Sequence, residues 1–230
     1  MNYFPTTIVD GFLPDPDAVR QFALSDKIEW HSDEDGKWPG LRSQMLFEVD
    51  EALFQFIMER YLSHFYNRDD MNKVTFVSRM QFQRVNAAYD KGWIHSDHPF
   101  ISTFILYLTP DANPKSGTGL YTAKDLSSGI KHIDKKIHAF TAGENVEQYR
   151  EDHNAQFVQN TFVSNVYNRL LSFDSSLWHG VEDFKNDEDR LTLVMFLQEL
   201  TGPPSTLQRT RSIPLLRDIP PGQKVDSNIL

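Results

Sequence analysis

Three tripeptides in this chain could each bring an imidazole and a carboxylate to one ion: His31-Ser32-Asp33, His95-Ser96-Asp97 and His132-Ile133-Asp134. Residues two apart on an extended strand point to the same side, so a His-x-Asp unit can offer two ligands to one divalent cation. The chain has no cysteine, so any metal is held by His, Asp or Glu. With eight His in the sequence, a single His-x-Asp arises readily by chance, and the flanking residues must choose among the three.

The elements around each triplet separate them. His31-Ser32-Asp33 lies in "HSDEDGKWPGLR", dense in charge, Gly and Pro, which reads as a loop with no strand on either side. His132-Ile133-Asp134 lies among Lys124, Lys131, Lys135 and Lys136, where a cation would meet local repulsion. His95-Ser96-Asp97, in "GWIHSDHPF", follows one strand-like run, "VTFVSRMQFQRVNAAY", and precedes another, "FISTFILYLT". Rigid elements are where a metal site keeps its geometry. A third ligand is available in "RLLSFDSSLWHGVEDF", where His179 ends a strand-like run between Trp178 and Gly180, just after the small, polar Ser175-Ser176.

Two His and one carboxylate on one face of an ion leave positions open, the pattern of non-haem Fe(II) oxygenases. The ligand types alone also admit Zn²⁺ or Mn²⁺. Eleven residues beyond His179, Arg190 opens the run "RLTLVMFL", with Thr192 on the same strand face. A guanidinium fork with a hydroxyl beside it suits a carboxylate. The competing assignment puts Arg190 in the acidic patch "EDFKNDEDR", paired with Asp187 or Glu188.

The rest of the chain must position these groups. At 230 residues and 40% hydrophobic content, with 17 Phe, 8 Tyr and 4 Trp, a single domain with one sizeable core is expected. A short strand is expected over 6–12. A helix then follows with Asp15 as N-cap, Pro16 in the first turn and Asp17 near its positive end. Over 50–65, Phe54, Ile57, Met58, Tyr61, Leu62 and Phe65 recur at helical spacing behind Asp50 and Glu51. After residue 72 come strand-like runs, including "TGLYT" and "TFVSNVY". Helices followed by many short strands predict a mostly β jelly-roll or barrel with flanking helices. The polar stretch 123–160 reads as an insertion near the site, a candidate lid, and the Pro-rich 201–230 as an extension beyond a domain of 1–200. N-terminal helices are thus expected over 14–66 and a β core over about 72–200.

The net charge of −9 argues against duplex nucleic acid as a partner. Neither a leader-like N-terminus nor a bilayer-length apolar run is evident, so a cytoplasmic protein without membrane association is expected.

Taken together, His95-x-Asp97, His179 and Arg190-x-Thr192 resemble the signature of the Fe(II)/2-oxoglutarate-dependent dioxygenases, particularly the prolyl-4-hydroxylase-like branch. "STFILYLT" is similar to the strand after the His-x-Asp, "SGTGLY" to the turn that follows, and the opening "IVDGFLPDPDAVRQFAL" to the N-terminal strand and helix of many relatives. The resemblance spans about residues 80–200. It implies a double-stranded β-helix (cupin-like jelly-roll) with Fe(II) on His95, Asp97 and His179, and with 2-oxoglutarate and O₂ as cosubstrates. Arg190 and Thr192 would hold the 2-oxoglutarate carboxylate, with Tyr107 and Thr103 on the neighbouring strand. Asn86 stands near the position where relatives often carry a cosubstrate-binding Tyr. Hydroxylation of a C–H bond in a small-molecule or peptidyl substrate is the implied reaction, and Asp97 argues against halogenation. The rival class is a non-oxidative metal-binding cupin-like module or isomerase, for which a carboxylate clamp at Arg190 has no use.

Overall fold

Two aspartates start the helices. Asp15 accepts a hydrogen bond from the Ala18 amide and caps α1 (Pro16–Ala23), and Asp50 accepts from the Leu53 amide and caps α3 (Glu51–Leu62). Each carboxylate satisfies a backbone donor that the first helical turn leaves free. The computed structural model describes residues 4–32, 39–86, 89–125 and 146–205. Two single-turn helices, α2 (Leu46–Val49) and α4 (Arg68–Met71), flank α3. The fifth, α5 (Val146–Asn154), comes much later in the chain.

Among the described residues, ten strands form two sheets. The larger has seven, in the order β1 (Thr7–Val9), β8 (Leu170–Asp174), β5 (Ser102–Tyr107), β10 (Arg190–Thr201), β4 (Thr75–Val85), β3 (Leu41–Ser43) and β2 (Trp30–Ser32). The smaller has β7 (Phe157–Val163), β6 (Thr118–Ala123) and β9 (Trp178–Gly180). Every pairing is antiparallel. This is the expected jelly-roll with flanking helices.

Alternation along the strands sorts side chains to the two faces of the large sheet. Met80, Phe82, Phe104, Leu106, Leu193 and Met195 face the helices and pack with Ile57, Met58 and Tyr61 of α3. Tyr61 also reaches Ser102 of β5, hydroxyl to hydroxyl at 2.9 Å. On the opposite face Ile105, Tyr107, Leu171 and Phe173 meet Leu120 and Val163 of the smaller sheet. β5 is therefore buried along its whole length, which is why it reads as an unbroken apolar run rather than an alternating one.

Three expectations change. His31 lies on a strand, β2, rather than in a plain loop; Trp30–Ser32 pairs with Leu41–Ser43, which pairs in turn with β4. Three residues are too few to show a period, and the neighbouring strand creates this one. The strand expected at 161–167 instead spans Phe157–Val163, because the chain turns before β8, with Asn168 at φ 61°. β7 lies at the edge of its sheet, and its exposed Gln159, Asn160 and Thr161 leave no alternation to read. The described ends of the stretch 123–160 are regular structure, since Ala123 ends β6, Val146–Asn154 is helical and 157–160 belong to β7, while residues 126–145 lie outside the described residues. The His132 triplet, Asp33 and the extension from 206 onward lie outside the described residues. Among the described residues, no helix is long and apolar enough to cross a membrane.

Candidate metal centre and carboxylate clamp

Strand pairing brings the distant His179 beside the His-x-Asp unit. His95 and His179 exchange backbone hydrogen bonds of 2.8 Å in both directions, and the Asp97 amide donates to Ser175 O at 2.8 Å. Gly92 and Gly180 permit the close approach: a Cβ on Gly92 would lie 2.9 Å from Val181 O, and one on Gly180 3.0 Å from Trp93 O.

The side chains converge. His179 Nε2 lies 3.2 Å from Asp97 Oδ2, and His95 Nε2 lies 3.6 Å from Asp97 Oδ1. Ligand atoms from the three residues all fall within 4.8 Å of one another. Donors about 2.1 Å from one ion and at right angles stand about 3 Å apart, so the cluster fits one cation with little adjustment. Both imidazoles are oriented for it. Nδ1 of His95 donates to Trp93 O at 2.9 Å and Nδ1 of His179 to Leu177 O at 3.0 Å, which leaves each Nε2 lone pair facing the carboxylate. Among the described residues this is the cluster of His and acidic groups that could hold an ion, and exposed His31 is not part of it.

Electrostatics favour the same use. Burial alone would raise the Asp97 carboxyl, but His179, then His95 and the Thr103 hydroxyl, outweigh it and hold the group well below the usual carboxylate range. Burial works against a charge on His179, and Asp97 more than reverses this. Asp97 is thus already ionised for a cation, and a bound cation would displace only the proton that Asp97 favours on His179.

The second cluster surrounds Arg190. Its guanidinium is buried (2% exposed), Nε donates to Ser116 O at 2.8 Å, and the rings of Tyr107 and Phe184 lie 5.4 and 5.6 Å away. Burial lowers its pKa, yet an arginine stays protonated. The acidic-patch assignment fails: Glu188 pairs with Arg20 at 2.8 Å and Asp189 with Arg84 at 2.7 Å. No carboxylate among the described residues forms an ion pair with Arg190. Its Nη2 and the Oγ1 of fully buried Thr192 are both buried polar atoms without a hydrogen-bond partner. An uncompensated buried cation is costly, so this pair asks for an anion.

Other candidates fall differently. Tyr107 is fully buried, its hydroxyl donating to Thr118 Oγ1 at 2.8 Å while its ring lies beside Arg190. Thr103, expected beside the cosubstrate, donates to Asp97 Oδ2 at 2.7 Å and lies 3.0 Å from Ser175 Oγ, so its hydroxyl is committed to orienting the Asp97 carboxylate. Asn86 is exposed just past the end of β4 and does not line the cavity that joins the two clusters. That cavity, about 480 Å³, is bordered by His95, Asp97, His179 and Arg190, and is lined also by Trp93, His98, Phe100 and residues of β3 and β4.

Helix α5 holds the strand bearing His95, a role invisible in the sequence. Asn154 accepts from the Ile94 amide and donates to Gly92 O, both at 2.9 Å, and His153 Nε2 donates to Ile94 O at 2.7 Å. Arg150 adds a bond to Lys91 O at 3.2 Å. These side chains serve as the neighbouring strand that residues 91–94 lack. The helix contacts the site through polar groups and so shows no apolar stripe; an Asn ending a polar helix is the only signal. Asn154→Ala is expected to leave the buried Ile94 amide unpaired, costing about 1–3 kcal/mol in stability, and to weaken iron binding about tenfold. Thermal unfolding and iron titration of the variant check this; a stability loss with unchanged iron affinity would make the helix mere packing.

The fold has solved counterparts. The structure of HygX from Streptomyces hygroscopicus with nickel and 2-oxoglutarate bound aligns at 14% identity, covering 84% of this chain and 82% of that one, with a TM-score of 0.54. The same protein with nickel, 2-oxoglutarate and hygromycin B bound aligns over the same shares at 13% identity and a TM-score of 0.50. A prolyl hydroxylase from Trichoplax adhaerens, in complex with a hypoxia inducible factor oxygen degradation domain peptide fragment, aligns at 13% identity over 90% of this chain and 86% of that one, at 0.48. The two HygX likenesses establish the fold. No curated protein matches the sequence. Residues 2–197 match the model of the family of unknown function DUF6445, and the chain belongs to that family.

Proposed function

We propose that this protein is an Fe(II)/2-oxoglutarate-dependent oxygenase that hydroxylates a C–H bond of a small-molecule or peptidyl substrate. The observation that carries the reading is the pairing, in one cavity, of a His-Asp-His cluster with a buried guanidinium that has no carboxylate partner. A non-oxidative metal-binding module accounts for the first and leaves the second without purpose. HygX, which shares the fold, has been crystallised with nickel and 2-oxoglutarate bound.

In this reading His95, Asp97 and His179 would hold Fe(II), which would supply the chemistry for reaction of 2-oxoglutarate with O₂. Arg190 and Thr192 supply the two orphaned polar atoms to the far carboxylate of 2-oxoglutarate, with Tyr107 packed against the guanidinium. Thr103 and Ser175 fix the Asp97 carboxylate, and the backbone carbonyls of Trp93 and Leu177 fix the imidazoles. Bound iron, with 2-oxoglutarate and O₂, would supply the oxidising power for C–H hydroxylation as the cosubstrate decarboxylates to succinate. The protein's share is orientation and exclusion of water. Anaerobic titration of the Fe(II) protein with 2-oxoglutarate should develop the weak visible band of the chelate. Stoichiometric iron without such a band at millimolar 2-oxoglutarate would leave a metal-binding module instead.

A further inference from the structure

Strand β4 turns two glutamines toward the cavity. Gln81 and Gln83 both line it, while Met80 and Phe82, which alternate with them, face the helices. Each carboxamide is tied down by its nitrogen. Gln81 Nε2 donates to Ser43 O at 2.7 Å, and Gln83 Nε2 donates to Pro39 O at 3.2 Å. A flipped carboxamide would set its oxygen against a carbonyl oxygen, so each orientation is fixed and the oxygen is the group left over. Neither oxygen has a hydrogen-bond partner among the described residues, and neither is sealed from solvent. Alternate residues of a strand stand about 7 Å apart, so β4 offers two acceptors on adjoining steps of one face.

Bracing of β3 explains the two nitrogens and leaves both oxygens without a use. The cosubstrate of the proposed reading cannot take them. Its carboxylates only accept, and the donors that suit them are Arg190 Nη2 and Thr192 Oγ1. The groups beside Gln81 are apolar: Val194 stands opposite it on β10, and Ile105 stands opposite Val194 on β5. Phe196 and Phe100, with ring centroids 5.1 Å apart, line the same cavity. A ligand lying on these groups strips water from the carboxamide oxygens. An acceptor that loses its water and gains no donor is costly.

Resting on the oxygenase reading, we infer that Gln81 and Gln83 select a substrate carrying two hydrogen-bond donors, hydroxyl or amino, beside an apolar body. The donors bind the two carboxamide oxygens, and the body lies over Phe196 and Phe100. An analogue without the donors is rejected, because it strands both oxygens.

The probes are 1,4-benzenedimethanol, its bis(methyl ether) and p-xylylenediamine, which share one ring. The ether keeps the ring and oxygens of the diol and loses its O–H donors. Binding is followed by equilibrium dialysis, anaerobically on protein saturated with Fe(II) and 2-oxoglutarate. A parallel series on metal-free protein excludes ligation of iron by the probes. The diol or the diamine should bind at least about tenfold more tightly than the ether. The tighter of the two identifies the substrate donor as hydroxyl or amino. Gln81→Met and Gln83→Met should each shrink that gap. Gln81→Glu loses the bond to Ser43 O but keeps an acceptor, and should retain the gap. Equal binding of the ether and both donors, or no binding of either donor, overturns the inference. So does a gap that survives in the folded Gln81→Met/Gln83→Met double variant. A gap lost as fully in Gln81→Glu as in Gln81→Met also overturns it, since the glutamine then acts only as a brace. Failure of the oxygenase reading appears separately, as a missing Fe(II)–2-oxoglutarate band, while the metal-free series still reports the donor preference.

Discussion

Asp97→Ala is expected to lower iron affinity by more than about 100-fold and to abolish succinate formation. Removing a residue that only orients a ligand costs about 10–100-fold, and in the proposed reading Asp97 is itself a ligand, at the centre of the cluster. It lies 3.2 Å from His179 Nε2 and 3.6 Å from His95 Nε2, and its charge is what those two imidazoles face. Thr103→Val should fall in the orienting range, because it removes the 2.7 Å hydrogen bond to Oδ2 and leaves the carboxylate in place. His31→Ala, on the exposed edge strand β2, should leave iron stoichiometry and turnover intact, as should His132→Ala. Iron content of the purified variants, with succinate release measured in parallel, checks the series. Retention of stoichiometric iron by Asp97→Ala together with its loss in His31→Ala or His132→Ala would overturn the assignment.

Arg190→Ala should raise the 2-oxoglutarate dissociation constant by two or more orders of magnitude with iron binding nearly unchanged. Breaking a buried charge pair by deleting one partner costs about 3–5 kcal/mol, and each 1.4 kcal/mol is a factor of about ten. Arg190 makes the case stronger than a surface arginine would. It is 2% exposed, its Nε is taken by Ser116 O, and its unpartnered Nη2 and the unpartnered Thr192 Oγ1 belong to buried residues two apart on β10. Arg190→Lys should fall between, since it keeps the charge and loses the fork. Thr192→Val should cost less, about tenfold, because it removes a single hydrogen bond from an uncharged donor. Titrating the visible band of the anaerobic Fe(II) complex gives all four constants. An Arg190→Ala protein that binds 2-oxoglutarate as tightly as wild type would remove the clamp from the site.

The sequence by itself determined which residues stand as candidate ligands and much of the order of the elements. His95, Asp97, His179 and Arg190 were identifiable because each stands at the edge of a run long enough to show its period, and those runs became β5, β8–β9 and β10. Asp15 and Asp50 were legible as caps because helix starts depend on neighbouring residues alone. Tertiary structure decided the rest. The three-residue β2 exists because β3 pairs with it, and no local pattern of that length can announce a strand. Thr103 changed from an expected cosubstrate neighbour to the support of Asp97, because the pairing of β5 with β8 sets it 3.0 Å from Ser175. Arg190 might equally have joined the acidic patch beside it in sequence; only burial under Tyr107 and Phe184 detached it. The bracing of His95 by Asn154 was also illegible, since a helix that docks through hydrogen bonds leaves no apolar stripe, and the two residues stand 59 positions apart in the chain. Local propensity and period are written along the chain, whereas burial and long-range hydrogen bonding depend on which surfaces meet after folding.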